Sequence, residues 1–108
     1  MENMKYVFVY ITNPTKKEAE KIARYLLKKR LIVCANIFPI ESLYWWKNKI
    51  EQSKEYVLIG KTTEKKYRKI VSEVEKMHSY SVPCVAKLPV GFSRKYKEWL
   101  IGEIGVQG

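Results

Sequence analysis

From Leu31 to Trp46 the chain has the β-branched and aromatic composition of a strand, interrupted only by Pro39, and it ends on Leu43-Tyr44-Trp45-Trp46. Ordinary strands have about 5–6 residues. At roughly 3.3 Å per residue this run reaches about 50 Å, beyond the body of a small domain. Lys47-Asn48-Lys49 reads as a turn, with Asn48 the residue best able to take positive φ. Ile50 to Thr62 then reads as the return strand. Two outcomes are open for such an arm. Pro39 can bend it back onto its own sheet, since proline is tolerated at a sheet edge, or the arm can dock on another copy of the chain. The second is the simpler expectation, because a tip of three aromatics and a leucine is unfavourable in water.

The flanking segments define the fold. Tyr6 to Ile11 is a strand by composition, ended by Asn13-Pro14. Thr15-Lys16-Lys17-Glu18 is a capping box, followed by Ala19, Ile22, Ala23, Leu26 and Leu27 at helical spacing. Thr63 is placed to cap a second helix with Tyr67, Ile70, Val71, Val74 and Met77 as its inner face. His78 to Pro83 is a loop, because a residue before proline avoids the α region. Cys84 to Val90 is a last strand, with Pro89 suiting an edge. Ser93 starts a short terminal helix that turns Tyr96, Trp99 and Leu100 inward. The order βαββαβ plus a helix specifies an α+β, ferredoxin-like antiparallel sheet in the order 4-1-3-2, with both main helices on one face. Residues 1–108 read as one domain, since two would need about twice the length.

That architecture leaves one sheet face open, yet the first strand is apolar on both. Tyr6, Phe8 and Tyr10 lie on one side, and Val7, Val9 and Ile11 on the other. Helices can cover only one of these sides. The open face therefore points the same way as the arm, toward an oligomer.

Composition narrows the chemistry. The chain has no Asp, and His78 is its only histidine, so a Ser-His-Asp triad and an HExxH zinc site cannot be written. No phosphate-binding glycine loop is present either. The reading is that of a protein that is not an enzyme. Two cysteines, Cys34 and Cys84, are too few for a disulfide framework. With no signal-peptide pattern and no apolar run long enough for a membrane span, the expected setting is cytoplasmic, without a membrane partner. In the expected strand order the two cysteines lie on opposite edges, roughly 14 Å apart, too far for a bond within one chain. Contact between them across copies stays open.

Specific residues then look familiar. Cys34-Ala35-Asn36-Ile37, Ser42-Leu43-Tyr44-Trp45-Trp46, Glu55 and Lys61-Thr62 resemble the divalent-cation tolerance (CutA) family. So do His78-Ser79-Tyr80-Ser81-Val82-Pro83 and Tyr96…Trp99-Leu100, in the same order and spacing over nearly the whole chain. The resemblance implies a ferredoxin-like subunit, a homotrimer built partly through the long hairpin, and a role in tolerance of ions such as copper. It also implies a likeness to trimeric PII signalling proteins, whose clefts between subunits bind small effectors. The chain departs from the family pattern in places. Asn48 stands where a glycine is usual. Ser81 and Cys84 replace carboxylates, and Ile11 and Met77 stand where some members place a cysteine and a second histidine.

The site candidates follow. His78, at a helix end, is either a cap for carbonyls or a metal ligand, with Met77 adding a thioether suited to copper(I). No cofactor is obligatory; a copper or other divalent cation is the one to test. Cys34, Asn36, Tyr44, Trp45, Trp46, Lys61, Thr62, Tyr80 and Pro83 are expected at the trimer interface or its clefts, where a small effector is the alternative ligand. The formal charge of +10 raises a rival, an RNA-recognition module of the same fold. Lys54-Glu55-Tyr56-Val57-Leu58-Ile59-Gly60 lacks the aromatic pattern that such a module needs on its third strand. Lysines mixed with glutamates along both helices resemble a solvated face, so no specific nucleic-acid partner is expected.

Overall fold

The structure is a computed structural model describing residues 4–105. Its elements are β1 (Tyr6–Asn13), α1 (Lys16–Lys28), β2 (Cys34–Trp46), β3 (Lys49–Thr63), α2 (Tyr67–Met77), β4 (Val85–Val90) and α3 (Arg94–Gly105). A single 3-10 turn, Glu64–Lys66, leads into α2. The strands form one antiparallel sheet in the order β2-β3-β1-β4. This is the expected ferredoxin-like arrangement.

β1 shows why the helices settle on one face. Val7, Val9 and Ile11 are essentially fully buried, while Tyr6, Phe8 and Tyr10 on the opposite face are half-buried. Ala19, Ile22, Ala23 and Leu26 of α1 and Ile70 and Val74 of α2 complete the core over the first set. Phe92 and Tyr96 reach part of the second face, Phe92 packing edge-on against Tyr6 at 5.8 Å between ring centroids. α3 buries Leu100 and Ile104, but Trp99, expected inward, stays about half exposed. The terminal helix is anchored by Arg30, whose guanidinium donates to both the Glu103 backbone and its carboxylate at 2.9 Å.

The hairpin is straight and long. β2 and β3 pair without interruption from Cys34↔Lys61 to Trp46↔Lys49. Pro39 sits opposite Tyr56 within this ladder and does not fold the arm back. It is tolerated because β2 is an edge strand, where a missing N–H faces away from the ladder. Lys47 (φ 51°) and Asn48 (φ 65°) form the two-residue turn, both left-handed, as a hairpin twist of this hand requires. The strand begins at Cys34 and not at Leu31. Leu31 and Ile32 instead plug the core beneath the end of α1, which Thr62 fixes by donating its hydroxyl to the Leu31 carbonyl at 2.7 Å. The molecule measures 46 × 23 × 21 Å, its length set by the arm.

Local chemistry places the helix ends. The Thr15 hydroxyl accepts the Glu18 N–H at 3.0 Å, half of the expected capping box. The Glu18 carboxylate does not return to Thr15. It accepts the Ser79 N–H at 2.9 Å and ties α1 to the loop after α2. Thr63 occupies the cap position before the 3-10 turn, but its side chain makes no cap bond.

Candidate functional site

Three places collect the residues singled out in the sequence. The first is the corner where β1, the start of α1 and the end of α2 meet. His78 ends α2, and its side chain is wholly buried. Its Nδ1 accepts the Tyr80 N–H at 3.0 Å, so Nε2 carries the proton and donates to the Thr12 carbonyl at 2.9 Å. That assignment follows from the hydrogen-bond pattern. Glu18 Oε2 lies 3.4 Å from Nδ1. The ring therefore acts as a pin between three elements, and it must release Thr12 or Tyr80 before either nitrogen can hold a metal. Met77 is half-buried against the core. Among the described residues no three His, Cys or Glu side chains gather closely enough to hold an ion.

Tyr80 extends this corner toward the arm. Its ring lies 4.8 Å from the His78 ring, and its hydroxyl donates to the Glu55 carboxylate at 2.6 Å. Burial, and then the bond to Glu55, raises the Tyr80 phenol far above its ordinary value. It remains a proton donor through the neutral range. Glu55 is only 7% exposed, so Tyr80 supplies the bond that a buried carboxylate requires. Pro83 is half-buried in the following loop. Asn13, read in the sequence only as a strand breaker, is fully buried here. Its Nδ2 donates to the Ile11 and Tyr56 carbonyls at 3.2 Å each. Its position at the strand end before a proline was the only sequence signal, and that signal marks a turn rather than a bridge.

The second place is the open sheet face. Lys61 lies between two rings, its ammonium 5.9 Å from the Phe8 centroid and 5.6 Å from that of Tyr96. Half-buried Cys34 is its cross-strand partner. Burial and the neighbouring thiol raise the Tyr96 phenol. The Tyr96 hydroxyl is buried with no hydrogen-bond partner in reach, so the thiol acts by proximity rather than through a formed bond. Thr62 points to the opposite face, as adjacent strand residues must, so Lys61 and Thr62 do not form one anion site. Asn36 is exposed on β2, opposite Ile59. Cys84 is exposed just before β4, at the edge opposite Cys34.

The third place is the arm. Leu43 is 67% exposed, Trp45 72% and Ile50 64%, with Tyr44 and Trp46 close to half exposed. The Tyr44 hydroxyl lies 3.2 Å from that of Ser53 across the hairpin. A shallow groove at the arm's root is lined by Pro39, Ile40, Glu41, Lys54, Glu55 and Tyr56. No fold contact within the described chain covers the tip.

The family described as CutA1 divalent ion tolerance protein matches residues 7–103. The divalent-cation tolerance protein CutA of Archaeoglobus fulgidus is 47% identical over 93 residues, covering 86% of this chain and 89% of that one. Its counterpart in Thermotoga maritima is 44% identical over 95 residues, covering 87% and 94%. Among solved structures, one described as the periplasmic divalent cation tolerance protein CutA from Archaeoglobus fulgidus superposes with a TM-score of 0.90 at 41% identity, covering 92% of this chain and 98% of that one. CutA1 from Oryza sativa superposes with a TM-score of 0.88 at 38% identity, covering 92% and 93%.

Proposed function

The chain belongs to the CutA1 divalent ion tolerance protein family, and from that membership we propose that it acts in divalent-cation tolerance as a non-catalytic homotrimer. One observation carries this reading: the protruding arm presents Leu43, Tyr44, Trp45, Trp46 and Ile50 to solvent. Aromatic side chains contribute about 150–250 Å² each when buried, and apolar burial is favourable by about 25 cal/mol per Å². A tip of this composition therefore gains most by inserting into other copies. The open sheet face, with Tyr6, Phe8 and Tyr10 in a row, supplies the matching apolar surface.

The absence of catalysis in this reading is supported by the state of the one imidazole, which is committed to Thr12 and Tyr80. Cation response extends to direct capture of a copper-type ion by His78 with Met77, at the cost of one of those two hydrogen bonds. Affinity is then modest. A cytoplasmic setting belongs to the same proposal, supported by two free cysteines at opposite sheet edges. Native mass spectrometry of the purified protein at micromolar concentration tests the assembly. The expected species contains three copies of the 12.8 kDa chain. A lone chain as the main species overturns the reading.

A further inference from the structure

We propose that the outer face of α1 and α2 docks the phosphate backbone of duplex nucleic acid without regard to sequence. Residues 16–29 and 64–77, which form the helical layer, hold eleven basic and five acidic side chains. In the sequence the two signs look interspersed. In the structure they separate. The Glu18 carboxylate turns inward to Ser79 and His78, Glu73 is taken by Tyr25 and by Lys69 and Lys76, and Glu64 pairs with Lys87 at 3.0 Å. Glu20 is half-buried, and the charged side chains that remain exposed are ten basic ones and one acidic one, Glu75. Every exposed residue of α1 apart from Leu27 is basic.

The arrangement is ordered. Lys17, Lys21, Arg24 and Lys28 recur at steps of four, three and four, which aligns them along one stripe of the helix. Lys69 and Lys76 stand seven residues apart on one side of α2, and Lys65 lies four residues before Lys69 in the 3-10 turn that leads into it. Tyr25 of α1 donates to Glu73 of α2, holding the two helices side by side. Like charges at this spacing cost helix stability, and no carboxylate lies within ion-pair distance of the four α1 cations among the described residues. The stripe spans about 16 Å, a length along which one strand of a duplex presents about five phosphates.

Charge complementarity also selects among anionic partners. Protein interfaces are depleted of lysine at their centres, whereas surfaces that contact DNA are far more positive. Single strands are held by stacking on exposed aromatics. The tyrosines of this layer, Tyr25 and Tyr67, are half-buried and bonded to Glu73 and the Val85 carbonyl. An anionic bilayer needs a second, apolar anchor for stable attachment, and apart from Leu27 the apolar side of both helices is turned to the core. Contacts to phosphate alone carry no base information, which agrees with the expectation of no specific nucleic-acid partner.

The test is fluorescence anisotropy of the full chain with a random-sequence duplex, its single strand, and phosphatidylserine vesicles carrying a tracer. Engagement of the four α1 cations predicts a salt slope of about −3 to −4, so affinity falls by about 50-fold between about 50 and about 150 mM salt. Combined Lys21→Gln and Arg24→Gln substitution is expected to lower the slope by about two. Combined Lys95→Gln and Lys97→Gln on α3 removes the same charge elsewhere and is expected to leave the slope unchanged. Should the first pair disturb folding, Lys17→Gln with Lys28→Gln serves equally, judged by circular dichroism. Unrelated duplex sequences are expected to bind alike. Absence of duplex binding at low salt, equal loss in the α3 variant, preference for the single strand, or binding to vesicles alone would each overturn the proposal.

Discussion

Gly60 lies in β3 between Val9 of β1 and Ala35 of β2, on the helix-covered face. A Cβ added there would stand 2.8 Å from Cγ2 of Ile32, 3.3 Å from its Cδ1 and 3.5 Å from its Cβ. Ile32 is 1% exposed and cannot swing into solvent. Gly60→Ala therefore forces overpacking, which costs about 1–3 kcal/mol. Lower entropy of the unfolded chain offsets about 0.4–1 kcal/mol of that. A net loss of about 0.5–2 kcal/mol remains, or a melting temperature lower by about 2–10 °C for a domain this size. The contact geometry also predicts which second substitution relieves it. Ile32→Val keeps Cγ2 and so leaves the shortest contact in place. Ile32→Ala removes both methyl-bearing branches, leaving only the ordinary 3.5 Å approach to Cβ. In the Ile32→Ala background, Gly60→Ala is expected to be neutral or stabilising by about 0.5 kcal/mol. The four-way cycle is measured by thermal or urea unfolding at one fixed protomer concentration, because association shifts apparent stability. A Gly60→Ala protein as stable as wild type, or a rescue by valine equal to that by alanine, would refute the steric argument.

Removing the Tyr25 hydroxyl tests the link between the two main helices. Tyr25 chiefly, then the Lys76 and Lys69 charges, hold the Glu73 carboxyl below its ordinary 4.5 against the opposing effect of burial. A depressed carboxylate contributes stability that is present above its unfolded pKa and lost as pH falls through the folded value. Tyr25→Phe is thus expected to be less stable than wild type at neutral pH, with the gap closing below about pH 4.5 in acid unfolding followed by circular dichroism. A constant gap through that range would remove the carboxylate from the account. At the arm, Trp46→Ala is expected to weaken assembly by about 2 kcal/mol or more, whereas Lys16→Ala on the exposed helix leaves it intact. Sedimentation across a dilution series reads the difference, and equal effects would show that the tip is not an interface. Copper titration of wild type against His78→Ala tests direct cation capture. Binding is expected to be lost in the variant and kept in wild type. Unchanged stoichiometry and affinity in the variant would leave small-effector sensing between copies as the better account of the family role.

Local patterns determined the elements of this protein. The alternation of Tyr6, Phe8 and Tyr10 with Val7, Val9 and Ile11 assigned both faces of β1, because side chains on a strand change sides at every residue. The spacing of Ala19, Ile22, Ala23 and Leu26 assigned the inner face of α1 for the equivalent reason in a helix. The uncommon length of the Leu31–Trp46 run announced the arm, and Asn48 its turn. Tertiary structure decided what pattern alone leaves open. Whether Pro39 bends the arm depends on its being at a sheet edge opposite Tyr56, a pairing fixed by residues far along the chain. The fate of each carboxylate was equally hidden. Glu18 reads as a capping partner and Glu73 as one charge among many, yet Ser79 claims the first and Tyr25 the second. His78 offers two nitrogens in the sequence, and the fold assigns them to Thr12 and Tyr80. A hydrogen bond is made only where donor and acceptor meet within about 3 Å, and such meetings between distant segments come into being when the sheet and its helices close on one another.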